Sequence, residues 1–307
     1  MEKNLTQGSI LKNIIVFSLP YLLSYFLQTL YGMADLFIAG QFNGAAVISA
    51  VSIGSQVMHM FTVIIVGLAM GGTVLIGQAV GARDSKRASK IIGNTVTFFL
   101  IFSAIITVIL LACCRGIVSL IQTPPESVEQ TIFYLRICFI GIPFIVSYNV
   151  IASIFRGMGD SKSPMIFVII ACTLNIILDY LFMGVFGMKA EGAAIATVIA
   201  QAVSVIISLI SIVRSKSLKL TKDDFRLQHD AIVPILKIGV PVACQDGFVQ
   251  ISFMVITVIA NRRGVNVAAA VGIVEKIICL GLILAHDRVW AYVPAFQGVC
   301  TVSSYIS

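Results

Sequence analysis

The chain has 307 residues, of which 58% are hydrophobic and 11% charged, and its formal net charge is +7. That balance excludes an ordinary soluble globule, and long charge-free apolar runs point instead to an all-α, polytopic membrane protein. The runs are continuous rather than alternating, which argues against a β-barrel, and the surplus Lys and Arg lie between them, where they set topology rather than bind nucleic acid.

Eight candidate spans follow one another at roughly 14–38, 47–76, 91–112, 131–155, 164–186, 192–213, 238–260 and 265–285. Each is about as long as the ~20 residues needed to cross the hydrocarbon. The first is too long for a cleaved signal peptide and is expected to remain as an anchor. With the N-terminus inside, the inner segments carry Lys3, Lys12, Arg83, Lys86, Arg87, Lys90, Arg156, Lys162, Arg214, Lys216, Lys219, Lys222, Arg226 and Lys237. The outer segments carry only Arg115, Lys189, Arg262 and Arg263, so the bias decides for that orientation.

In the first span Gln28, Tyr31 and Asp35 fall at helical spacing on one face, and Pro20 lower down predicts a bend. No charged residue follows Asp35 until Arg83. A carboxylate at membrane depth is expensive, so an acid there implies a function. The second span contains His59, read as a packed neutral imidazole, and it leads through Gly67, Gly71, Gly77 and Gly81, whose spacing by four suits close helix packing. Arg136 in the fourth span is almost the only deep cation. Phe155–Pro164 is a tight glycine turn whose spacing is wrong for a phosphate loop.

The fifth span carries a second lone acid. Asn175 and Asp179 form an i, i+4 pair. The turn before the sixth span centres near Met188, with Asp179 nine residues before it and Thr197 nine after. Equal distance from the turn puts Asn175, Asp179 and Thr197 at similar depth in an antiparallel pair. Their oxygens suit a hard cation such as Na⁺, or a proton held on Asp179. The alternative is interhelical hydrogen bonding alone, worth about 0.6 kcal/mol. Asp246, Glu275 and Lys276 fall in the last two spans, with partners expected on helices beyond them. Cys113, Cys114, Cys138, Cys172, Cys244 and Cys279 read as small packing residues. No catalytic, cofactor or nucleotide motif appears, so an enzyme is not expected.

The chain divides into a six-helix lobe over 1–213, a polar cytoplasmic linker over 214–237 and an incomplete second lobe over 238–307. Phe17–Pro20 compares with Ile238–Pro241, and Ala50–Ile53 with Ala270–Ile273, at offsets of 221 and 220 residues. A parallel repeat of that length needs about 440 residues. The second lobe is therefore expected to be truncated or disturbed near its end, with His286, Asp287 and Arg288 interrupting the eighth span.

Ala34–Gly40, Gly77–Ala82, Phe155–Asp160 with Pro164, and Asn175 with Asp179 ahead of Glu191–Ala196 together resemble the multidrug and toxic compound extrusion (MATE) family of antiporters. The resemblance covers about residues 10 to 285. It implies two six-helix lobes around a cleft that opens alternately to either side of a bacterial cytoplasmic membrane. It further implies exchange of small cationic or amphipathic drugs for H⁺ or Na⁺ with no cofactor, by a single full-length chain. Asp35, Asn175, Asp179 and Thr197 match the family's cation site, and Gln28, Tyr31 and Asn149 are candidates for the substrate cavity. Gln297–Gly298 stands where the second lobe should repeat the loop at Gln78–Ala82, but the sequence after it departs from the pattern. A chain without the full second lobe is expected to keep the cation site and not to transport. The alternatives are a lipid-linked oligosaccharide flippase, which needs a cationic cavity, and a non-transporting subunit.

Overall fold

The computed structural model describes residues 10–214, 221–274 and 277. Among them there is no strand. The helices in chain order are α1 (Ile10–Phe42), α2 (Ala45–Gly81), α3 (Ser85–Leu120), α4 (Val128–Ile140), α5 (Ile142–Gly157), α6 (Lys162–Asp179), α7 (Ala190–Arg214), α8 (His229–Asn261) and α9 (Val265–Val274). Six of the described helices are long and apolar enough to cross a membrane, or seven if α4 and α5 count as one span.

Local chemistry explains the ends. Asp84 caps α3 by accepting from the Arg87 amide at 2.9 Å. The carboxylate of Asp160 accepts from the amides of Lys162 and Ser163 at 3.0 and 3.1 Å, which starts α6. The chain before it turns through Gly159 at φ +84°, a value that favours glycine.

The fourth span differs from the expected continuous helix over 131–155. It breaks at Gly141 into α4 and α5, bent by 51°. Pro143 in the first turn of α5 has no N–H to continue the ladder from α4. A Cβ on Gly141 would overlap Val198 of α7, so the bend also brings α4 against that helix. By contrast α1 runs on through Pro20, and α8 through Pro234 and Pro241. The fifth span ends in a π-turn, Tyr180–Val185, after Asp179. Of the eighth, the described part is α9, an apolar helix over Val265–Val274. Glu275, Lys276, Cys279, His286 to Arg288 and Gln297–Gly298 lie outside the described residues.

The polar linker is not simply solvated, and α8 begins at His229, well before residue 238. A short turn at Lys222–Phe225 docks on α3. The amide of buried Asn94 donates to the Asp224 carbonyl at 3.2 Å, and its carbonyl accepts from the Gln228 amide at 2.7 Å. Thr97 donates to the Phe225 carbonyl at 2.9 Å, and Lys90 pairs with Asp230 at 2.5 Å. At the other end of α3, Asn261 donates to the Ile121 carbonyl at 2.9 Å and Arg262 bonds the Gln122 side chain.

Of Gly67, Gly71, Gly77 and Gly81 on α2, the first two face α8. A Cβ on Gly67 would lie 2.7 Å from the Ala243 Cα, and one on Gly71 would overlap the Ile235 carbonyl. Gly77 is looser, with the Gly157 carbonyl 3.5 Å from such a Cβ, and Gly81 meets nothing within 4 Å. Cys114, Cys138 and Cys172 are buried packing residues, but Cys113 and Cys244 are exposed, contrary to expectation.

Gly71→Ala is expected to cost about 1–3 kcal/mol by forcing two backbones apart, whereas Gly81→Ala leaves stability unchanged; thermal unfolding of the solubilised protein compares them. A second outcome concerns the linker. Thr221 donates through its amide and hydroxyl to Asp224, both at 2.8 Å, and these bonds hold the carboxyl below the usual aspartate range. That stabilisation is present above the ordinary aspartate pKa of about 3.9 and is lost as pH falls through the lower folded value. Amide exchange at Phe225 and Arg226, corrected for its intrinsic pH dependence, should therefore accelerate only below about pH 4, and Asp224→Ala should remove that step.

Candidate cation and substrate site

α1 and α6 lie side by side, and each contributes one acid. Asp35 is 3% exposed, Asn175 2% and Asp179 0%. The Cys172 thiol donates to the Leu27 carbonyl at 3.5 Å, which holds the two helices together two turns before Asp179. The Asp35 and Asp179 carboxyls are close enough to share a side-chain hydrogen bond. Two carboxylates cannot donate to each other, so the contact is a bond only when a proton sits on one of them. No donor among the described residues reaches either oxygen of Asp179, or the side-chain carbonyl of Asn175. The Asn175 amide donates to the Thr197 hydroxyl on α7 at 3.4 Å. The fold thus gathers Asp35, Asn175, Asp179 and Thr197 into one cluster of oxygens spread over three helices.

Two neighbours were not evident from sequence. Tyr134 and Cys138, one turn apart on α4, are buried and lie within electrostatic range of Asp35. Gly54 on α2 makes room for Tyr134: a Cβ there would run into the ring. The available signal was a tyrosine inside an apolar run; what sequence lacked was the bend at Gly141.

The three cavity candidates separate. Gln28 and Tyr31 are partly buried on the Asp35 face, and Tyr31 packs with Tyr148, Ile151, Phe155 and Phe167. Asn149 is buried, but its amide donates to the Ile145 carbonyl of its own helix at 2.8 Å. At Pro20 the helix continues, and the proline's own carbonyl accepts from the Ser24 hydroxyl one turn on, at 2.8 Å. Arg136 is exposed on α4, near Cys114.

A family model, MatE, matches residues 20–181, which hold Asp35, Asn175 and Asp179. The chain belongs to the MATE family of transporters. It is 28% identical over 280 residues to the probable multidrug resistance protein YoeA of Bacillus subtilis, covering 89% of this chain and 60% of that protein. To the probable multidrug resistance protein NorM of Thermotoga maritima it is 30% identical over 240 residues, 76% of this chain and 51% of that one. Among solved structures, a MATE transporter in its inward-facing conformation superposes with a TM-score of 0.80 at 27% identity, covering 86% of this chain and 60% of that one. A MATE protein in complex with MaD5 gives 0.83 at 26% identity, covering 97% and 68%. The chain therefore spans about three fifths of the length of the first curated relatives, 60% and 61%.

Thr197→Val removes the hydroxyl that accepts from Asn175. Because interhelical hydrogen bonds in membranes contribute about 0.6 kcal/mol on average, thermal unfolding is expected to shift little. A large loss of stability would show that the cluster is chiefly structural.

Proposed function

We propose that these residues form the coupling site of a multidrug antiporter, at which H⁺ or Na⁺ exchanges with a small cationic or amphipathic compound. The observation that carries this reading is the pair of buried carboxyls in contact, one of them without a protein donor. Two such groups cannot both stay ionised in a low-dielectric interior without a positive partner. A proton bridging Asp35 and Asp179 meets the need. So does a small hard cation held by those carboxyls with the Asn175 carbonyl and the Thr197 hydroxyl. A cationic drug brings its own charge into the same region, so drug and ion compete.

The naming of curated relatives as multidrug resistance proteins supports the substrate class. In energetic terms, the ion favours one arrangement of the lobes and the drug the other, and coupling is the difference between the two preferences. The exchange itself is proposed for a protein with two complete lobes. The excess of Lys and Arg at the end of the bundle that holds Arg83, Arg156 and Lys222 supports an N-terminus inside, and the bacterial relatives support a cytoplasmic membrane.

Ethidium binding to the solubilised chain, followed by fluorescence, tests the reading without requiring transport. Acidification or added Na⁺ is expected to weaken binding to the wild type and to have no effect on Asp179→Asn. Wild-type binding indifferent to both ions would overturn it.

A further inference from the structure

The acid pair needs a mechanical reference. Asp35 and Asp179 stand on separate helices, and a small roll or slide of α1 would part their carboxyls. Phe42, the last residue of α1, lies seven residues after Asp35 and therefore on the same face, about 10 Å further along the axis. Its ring meets Tyr180 edge-on, with centroids 5.4 Å apart and an interplanar angle of 77°. The same ring covers Gly184, where a Cβ would come within 3.0 Å of two ring carbons.

Tyr180 and Gly184 belong to the π-turn that follows Asp179 without a break. The turn is wound wide: the Phe186 amide donates to the Leu181 carbonyl, five residues back, at 3.0 Å. Winding of this kind costs stability and recurs at functional sites. It is not free to move. Met183 is buried, and a Cβ on Gly192 of α7 would lie 3.2 Å from Met183 and 2.9 Å from Met188. The turn is thus set against α7, the helix that carries Thr197. One element consequently fixes Asp179 and Thr197 and also receives the end of the Asp35 helix.

We propose that Phe42, Tyr180 and Gly184 form an aromatic seat that sets the height and roll of α1, and so holds the Asp35 carboxyl against that of Asp179. These are positioning residues; they act through the helices and do not touch the ion. The inference rests on the acid pair as the coupling site and adds what keeps it assembled. Phe42→Ala empties the seat from one side, and Gly184→Ala fills it from the other. Both let α1 shift, and Phe42→Trp keeps a ring in place.

Infrared spectroscopy of the reconstituted chain tests this. The carbonyl stretch of a protonated carboxyl falls in frequency when that group is hydrogen-bonded. On acidification a band that disappears in Asp179→Asn identifies the pair. In Phe42→Ala and Gly184→Ala that band is expected to move up towards the position of an acid without a partner, and in Phe42→Trp to stay. If Gly184→Ala does not fold, Phe42→Ala and the milder Phe42→Leu decide. A band that keeps its position while thermal stability falls would show simple packing and overturn the seat, with the acid pair intact. A band that survives Asp179→Asn would instead overturn the acid-pair reading and this inference with it.

Discussion

Asp35 and Asp179 meet where the protein offers Asp179 no donor, and the surrounding architecture can be read as the accommodation of that contact. Water would solvate both groups; an apolar interior does not. A soluble core of this size would rid itself of such a pair by substitution, because an uncompensated buried charge is among the most destabilising features a fold can carry. Its presence in a bundle otherwise held by apolar packing makes sense if a positive charge comes and goes. The residues described at the site supply oxygens, and a positive charge arriving from outside would balance them.

The helices around the pair are tied in different ways. α1 and α6 are held by the Cys172–Leu27 bond and by the aromatic contact at the π-turn, and α6 is joined to α7 through Asn175 and Thr197. These links make one unit of the helices that carry the oxygens. α8 is bound differently. It packs along the glycines of α2, and α3 clasps it at both ends, through Asn94 and Lys90 on one side and through Ile121 and Gln122 on the other.

Much of this was legible in the sequence because it follows from period and charge. The spans α1, α2, α3, α6 and α7 are long, continuous and apolar, and length alone identifies them. Asn175, Asp179 and Thr197 were placed together by counting from one turn, which works when two helices run antiparallel with a short connection. Asp35 stood out as an isolated acid, although nothing in the sequence sets its height relative to Asp179. The failures share a cause, which is that they depend on contacts distant in sequence. The break at Gly141 comes from a missing N–H together with the approach of Val198. Docking of the Lys222–Phe225 turn depends on Asn94, over a hundred residues earlier.

The most direct test of the central claim is a count of protons. Calorimetric titration of the solubilised chain with a cationic drug, in buffers of different ionisation enthalpy and without Na⁺, yields the number released per drug bound. The account predicts about one in the wild type, none in the Asp35→Asn, Asp179→Asn double variant, and fewer as Na⁺ replaces H⁺. No release from the wild type, together with no competition by Na⁺, would contradict it.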